Sequence, residues 1–488
     1  MDSGRDIPDV PAPDTRVGVD DWVAEHGERR AHYTGLEGLV RSAIGYVPGS
    51  ARLALFAAFA ATLPLWMNRG DLFVYGIITL LYLVLGLGLN VVVGYAGLLD
   101  LGHIAFFGFG SYMYALLSSE QFGVHWPATA SIPVVVVSTA LLGLVLGIPS
   151  RRLLGDYLAI VTLFFGQAFV VFTNAAGQDI AGENVTGGPN GIADIDPLTF
   201  FGHELTTRTQ QFYFLLGTAV LVLAALHLLS ESRTGRAWRA LREDPLAAET
   251  MSMPVNRLKI LAFMFGAGIA GLTGCIFAAV LTAVTPGNFA LSLLITIYAV
   301  VILGGLGSLT GVVLGAIVIN VSFQFLAPEN PQDNARLLFY GVILLLLIVW
   351  LRPWWQLGLV LAAVVALGVG TVALLETVAP SWTGGAVVEG GRYAGVIEDW
   401  VVIPSGHERF DNWAYVSLVA AILILTLLRG WVRTVALVPT LYLAAIVWET
   451  SFVEEPAVAR WILFGSLLVF LMTVRPQGLL GTPRVEIV

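Results

Sequence analysis

The sequence predicts an all-α, polytopic integral membrane protein, a helical bundle of about fourteen transmembrane helices, and three observations carry that prediction. First, 57% of the 488 residues are hydrophobic and only 12% charged, against roughly 25% charged in an ordinary soluble domain; mean hydropathy is +0.81. Second, apolar runs recur from Ala51 onward, each near the roughly 20 residues that a helix needs to cross about 30 Å of hydrocarbon. Third, those runs do not alternate polar with apolar residues. That excludes the closed β-barrel, the other structure that satisfies its backbone in lipid.

Taken in order, residues 1–50 mix Asp, Glu, Arg, Pro and Gly without an apolar core and read as a cytoplasmic tail, not a cleavable signal. Spans follow at 51–67, 72–93, 104–118, 128–147, 157–173, 211–229, 258–283, 292–305, 309–326, 337–351, 357–378, 413–429, 435–450 and 459–474. Alternating them from a cytoplasmic N-terminus puts Arg151 and Arg152, the Arg233–Lys259 stretch, Arg352, Arg429 and Arg433, and Arg475 and Arg484 on the inner side, where short basic loops belong. The acidic or neutral loops 174–210, 379–412 and 449–458 then face outward, with His203, Arg208, Arg392 and Arg409 as minor exceptions. The net charge of −9 sits largely in the first forty residues and in loops near Glu389, Glu398 and Glu454, so it identifies no ligand. Cys275 is the single cysteine, inside an apolar run, which leaves no disulfide framework or cysteine zinc site and reads as packing.

The longest inner loop is the most informative. From Ser232 to Glu249 it combines Arg residues on successive turns with a small-residue, helix-favouring core. Arg236, Arg239 and Arg242 recur at three-residue spacing and would share a helical face. Asp244 is placed to cap a second short helix that Pro245 opens and Leu246, Ala247, Ala248 and Glu249 continue. By itself this is either a docking element or an ordinary solvated basic loop.

The wider pattern adds a resemblance. Arg233, Gly235, Arg236, Arg239, Leu241, Arg242, Glu243, Pro245, Ala247, Ala248 and Glu249 resemble the ATPase-coupling loop of bacterial ABC-importer permeases, most closely the branched-chain amino-acid permease family. The run Gly86–Gly110 is similar to that family's N-terminal signature, Gly155–Leu163 followed by Thr186–Ile192 to its middle, and Leu303–Gly311 to its glycine-rich turn. The resemblance covers about residues 72–352, and within the family the chain looks like the larger of the two permease subunits. One departure is Ser252, where the family usually carries Gly, which puts the local turn geometry in question. A second is that Ala335–Gly341 leading to Arg352-Pro353 resembles Ala459–Gly465 leading to Arg475-Pro476, whereas the family normally ends on such a helix once.

The implied organisation is a 1–50 tail, a 51–352 permease core with its coupling loop at 232–253, inserted or partly duplicated helices at 353–458, and a terminal helix and Arg-Pro tail at 459–488. That makes about ten core helices and about four extra ones; an Arg-Pro stop arising twice independently is the alternative. The resemblance further implies a transmembrane subunit of an importer for branched-chain or related amino acids in a bacterial inner membrane, with both termini cytoplasmic. It implies no enzyme chemistry and no cofactor on this chain, with ATP and Mg carried by partner ATPase subunits. A second permease subunit, an extracytoplasmic substrate-binding protein and the lipid bilayer complete the expected partners, and nucleic acid is not among them. The residues agree on ATP: no G-x-x-x-x-G-K-[ST] phosphate loop is present, and Lys259 is followed by Ile260. No catalytic H-E-x-x-H or G-x-S-x-G motif is visible, and no metal site.

For a translocation path, Gly94, Gly97 and Gly102 in one glycine-rich run and Gly304, Gly305 and Gly307 in another permit either close helix approach or helices broken near the midplane. A broken helix would offer free N–H groups to a carboxylate and free carbonyls to an ammonium. Polar residues at membrane depth usually face a bundle interior, which brings in Asn90, Asp100, His103, Gln167, Asn320 and Gln324; Asn90 and Gln167 are expected to line a cavity. Asp100 and His103, three apart, would pair on a helix, or Leu99–Gly102 is a turn at the inner surface with both solvated, which the loop alternation favours. Trp382, Tyr393 and Trp400 suit an interfacial belt. Intramembrane carboxylates are otherwise scarce, which weighs against the alternative of an ion-coupled secondary transporter. Branched-chain amino acids, other amino acids, urea and short amides all stay open as substrate.

Overall fold

The structure, a computed structural model, describes residues 49–121, 123–150, 155–175, 185–200, 202–325, 333–351, 354–382, 394–403, 408–428, 430–454, 465 and 478–480. The chain divides into two compact units, Met1–Phe56 and Ala57–Val488. Of the first, only Gly49–Phe56 is described, as the opening of α1 (Gly49–Trp66).

Helices dominate, because a backbone in lipid must pair with itself. The long span Arg69–Tyr95, α2, contains two π-helical turns, Leu72–Ile77 and Asn90–Tyr95. After it come α3 (His103–Leu117), α4 (Ala128–Ser150), α5 (Asp156–Ala175) and α6 (Arg208–Glu231). Two short helices, α7 (Arg233–Glu243) and α8 (Pro245–Thr250), form the 232–253 loop. Beyond them lie α9 (Val255–Leu281), α10 (Leu291–Gly304), α11 (Leu309–Phe325), α12 (Asp333–Trp350), α13 (Trp354–Val378), α14 (Ala394–Glu398), α15 (Glu408–Leu427) and α16 (Trp431–Glu454). Among the described residues 8 spans are long and apolar enough to cross a membrane, and α1, α3, α11 and α15 are shorter apolar helices. Each expected span from 51–67 to 435–450 coincides with one helix. The expected span 459–474 lies outside the described residues but for Gly465, as do the tail 1–48, Arg151, Arg152, Arg352, Pro353, Glu389, Tyr393, Arg429, 475–477 and Arg484.

Helices α2 and α9 are central, with 72% and 61% of their spanning stretches buried, against 28% for α4 and 22% for α5. Small residues let the backbones close on α9. A Cβ on Gly110 would lie 2.6 Å from Gly271 Cα, and one on Gly271 would lie 2.5 Å from Thr139 Oγ1, a small-residue interface of the kind that packs membrane helices. Cys275 is fully buried in the same region, as expected for packing.

A second apolar cluster draws only on α12 to α16 and the turns between them. Leu347, Val360, Val364, Ile397, Val401, Leu437, Tyr442 and Ile446 form it. Trp400 packs against this cluster: its ring meets Tyr340 and Tyr442, and its indole N–H donates to Val364 O at 3.4 Å.

At the end of the bundle opposite the 232–253 loop, connecting segments knit together. The hairpins β1–β2 (Ser118–Ser119 with Val124–His125) and β3–β4 (Thr199–Phe200 with His203–Glu204) are tied in by bridges from Ser119 to Ile195 and from Ile192 to Val284.

Candidate functional site

Two glycine turns meet beside α7. The first follows the π turn that ends α2: Ala96 N–H reaches back to Val91 O (3.2 Å) and Leu98 N–H to Val92 O (3.0 Å), and Gly97 reverses the chain at φ +69°. The second joins α10 to α11 through Gly305 (φ +110°) and Gly307 (φ +82°), backbone angles that favour glycine. Ser308 Oγ accepts Gly311 N–H (3.0 Å) and so opens α11. The turns are joined directly, since Gly307 N–H donates to Asn90 Oδ1 at 2.9 Å. A Cβ on Gly94 would overlap Asn90 Oδ1 and lie 2.6 Å from Gly307 N, so contact between the turns requires glycine there.

The 232–253 loop is built onto this junction. Ser232 Oγ caps α7 by accepting Gly235 N–H at 3.3 Å, and Gly235 abuts the carbonyls that end α6. Trp238 and Leu241 are buried, and the Trp238 indole N–H donates to Leu258 O at 2.9 Å, which locks α7 to α9. Asp244 Oδ1 accepts the N–H groups of Leu246 (2.8 Å) and Ala247 (3.1 Å), with Pro245 in the first turn, as the sequence predicts for α8. Ala248 is buried, while Leu246 and Met251 are 74% and 76% exposed. Ser252, standing where the resemblance calls for Gly, adopts φ +60°. The turn keeps the glycine-type geometry without the glycine.

The three arginines, on one side of α7, reach different partners. Arg236 and Arg239 are exposed, and their guanidiniums fold back to donate to Glu231 O (2.6 Å) and Ser230 O (3.0 Å). Arg242 turns inward and donates to Gly94 O at 2.6 Å and Leu306 O at 3.5 Å, one carbonyl from each glycine turn. Gly97 leaves room for it, because a Cβ there would lie 2.9 Å from Arg242 Cγ. Arg233 and Glu243, like Glu249 on α8, are exposed.

Next to this junction, Asp100 and His103 are fully buried, which corrects the expectation of a solvated pair. The 99–102 stretch is indeed a turn. It is closed over by distant groups, however: Leu101 N–H donates to Thr162 Oγ1 (2.9 Å) and Tyr298 O–H to Asp100 O (2.7 Å). Asp100 Oδ1 accepts Gly102 N–H (3.0 Å), and its other oxygen lies 3.3 Å from His103 Nδ1. The breaks therefore lie at the end of the bundle that carries α7, not midway along it. Their amides are also engaged, since Leu101, Gly102 and Gly307 already donate to Thr162, Asp100 and Asn90. Those three amides are therefore not free for a substrate carboxylate.

Of the two expected cavity residues, Asn90 is buried in the junction, whereas Gln167 is exposed on α5 beside exposed Phe164 and Val171. Asn320 is structural, donating to Val74 O (2.8 Å) and Thr79 Oγ1 (2.7 Å) at the first π turn of α2. Among the described residues no group of three or more His, Cys, Asp or Glu is placed to hold a metal ion.

Two features escaped the sequence reading. Towards the opposite end, Phe107, Tyr112, Phe169, Phe277 and Phe289 form an interlocked cluster with ring centroids 5.0–6.3 Å apart. The Thr186–Ile192 loop lies near it, tied down by Thr186 O–H donating to Thr173 O (2.7 Å) and by the Ile192–Val284 bridge. The other is Glu449, a second buried carboxylate in an apolar helix: it pairs with buried Arg336 at 3.1 Å and accepts Tyr340 O–H at 3.2 Å, joining α16 to α12. A lone acid in the apolar run 435–450 was the available signal.

Comparisons with known proteins place the chain in a family. Residues 71–348 match the family described as branched-chain amino acid transport system / permease component. The high-affinity branched-chain amino acid transport system permease protein LivM of Salmonella typhimurium is 34% identical over 324 residues, 62% of this chain and 73% of the relative. The probable branched-chain amino acid transport permease protein LivM of Methanocaldococcus jannaschii is 25% identical over 56% of this chain and 89% of its own length. The permease protein LivH of Salmonella typhimurium is 22% identical over 55% of this chain and 89% of its own. No solved structure matches the chain.

Proposed function

The chain belongs to the branched-chain amino acid transport permease family, and from that premise we propose that it is a transmembrane subunit of an ATP-binding-cassette importer, forming with a second permease the path for branched-chain or related amino acids. Hydrolysis takes place on partner ATPase subunits that carry ATP and Mg, and an extracytoplasmic binding protein delivers the substrate. The assembly sits in a bacterial inner membrane with both termini of this chain cytoplasmic, an orientation supported by the basic 232–253 loop.

The observation that carries the reading is the position of Arg242. Helices α7 and α8 present exposed Leu246 and Met251 outward, the apolar kind of surface an ATPase groove would cover. From the same element Arg242 grips Gly94 and Leu306. A displacement of α7–α8 by a closing ATPase would reach α2, α10 and α11 through one side chain and shift the bundle between inward-open and outward-open packings. The aromatic cluster under the Thr186–Ile192 loop is the corresponding seal at the outer end. No bond is made or broken on this chain.

The helices at 353–458 are an addition to that core, a reading supported by the family match ending at residue 348, and they pack on it through α12, the helix on which that match ends. The test of the functional reading is affinity purification of the tagged chain from its native membrane. Recovery of a second permease and ATPase subunits with ATPase activity is expected. A chain that purifies alone and transports in liposomes on an ion gradient without ATP would replace the importer with a secondary transporter.

A further inference from the structure

Helix α10 ends by leaving carbonyls without an intrahelical partner, as every helix end does. Two of them, Leu303 O and Gly304 O, are met by a segment more than a hundred residues further along the chain. Leu479 N–H donates to Leu303 O at 2.8 Å and Leu480 N–H to Gly304 O at 3.0 Å. The fit is close and needs a glycine: Gly478 has φ +75°, and a Cβ on it would lie 2.5 Å from Ile302 O and 2.6 Å from Gly305 Cα. The next residues of the same turn are held by other elements, Leu306 O by Arg242 and Gly307 N–H by Asn90. The 304–307 turn is thus gripped from three directions, by α2, by α7 and by residues 478–480.

From this convergence we propose that Gly478-Leu479-Leu480 is a positioning element of the transport cycle, a strap that stiffens the 304–307 turn so that a pull on Arg242 moves α10 and α11 together. The inference rests on the importer reading above. A turn held only by Arg242 and Asn90 would give way locally, because glycine backbone deforms at little cost. With the ends of its carbonyl row tied to a third segment, a displacement at Leu306 is passed to both flanking helices. The glycine-leucine-leucine run that the sequence shows after Arg475-Pro476 acquires a role in this way, through backbone groups and not through side chains.

The experiment uses the purified complete complex in proteoliposomes and reads leucine taken up per ATP hydrolysed. Leu480→Pro deletes the N–H donor to Gly304 O, Leu480→Ala keeps it, and Gly478→Val forces a Cβ into Ile302 O and Gly305. The strap predicts that the Pro and Val variants lose about five-fold or more of that ratio, the fold-change one backbone hydrogen bond represents, with ATPase activity retained and the Ala variant unchanged. Three results would overturn it: an unchanged ratio in both disruptive variants, an Ala variant as impaired as the Pro variant, or uptake and ATPase falling in parallel with the yield of assembled complex, which marks a structural anchor only. If the unmodified complex itself shows no ATP-driven uptake, it is the importer reading that fails, and the two failures are distinguishable.

Discussion

Replacing Arg242 by alanine is the most informative perturbation, because one side chain spans both glycine turns. The substitution removes a charged donor from Gly94 O at 2.6 Å and a longer contact with Leu306 O at 3.5 Å. Hydrogen bonds involving a charged group contribute about 1.5–3 kcal/mol, and because Arg242 is only half-buried the lower end applies, about 1.5 kcal/mol. Each 1.4 kcal/mol is roughly a factor of ten in an equilibrium, so the turns should remain coupled to α7 about ten-fold less effectively. The assay is substrate uptake and ATP hydrolysis by the same reconstituted complex. Arg242→Ala should lower transport per ATP about ten-fold while hydrolysis persists, and Arg242→Glu, which sets a carboxylate against two carbonyls, should abolish coupling. Arg236→Ala, at an exposed residue whose guanidinium only returns to Glu231 O, is the control and should couple normally. Unimpaired coupling in Arg242→Ala would refute the reasoning.

Three other outcomes follow from the geometry. Ser252→Gly should raise the melting temperature of the detergent-solubilised chain, because a left-handed backbone at φ +60° costs an L-residue about 1–2 kcal/mol. Asn90→Ala leaves the Gly307 amide without its acceptor and should lower thermal stability by about 1–3 kcal/mol, read from the same melts. Arg336→Leu or Glu449→Leu alone strands one buried charge and should cost about 3–5 kcal/mol, whereas the double replacement recovers much of that loss; equal losses in the single and double variants would show that the pair does not act as a unit.

The sequence legibly determines the helical architecture, since a run such as 157–173 has only one way to pair its backbone in lipid. The α8 cap was legible too, because Asp244 acts on amides two and three residues away and Pro245 opens the same turn. What escaped depends on distant partners. Helical spacing places Arg236, Arg239 and Arg242 on one side of α7, yet it cannot tell that the α6 carbonyls take two of them and Gly94 the third. Asp100 is buried by Thr162 and Tyr298, which come from α5 and α10. Gln167 is exposed because α5 packs chiefly on its other side, with Leu158, Thr162 and Gly166 facing in. The Glu449–Arg336 pair spans 113 positions, beyond any local pattern.

ATP-driven uptake by the complex purified from its native membrane tests the central claim most directly. Proteoliposomes loaded with ATP and supplied with the binding protein and labelled leucine should accumulate label only while ATP is hydrolysed, with collapse of ion gradients making no difference. Accumulation that ignores ATP and disappears when the gradients collapse would contradict the account.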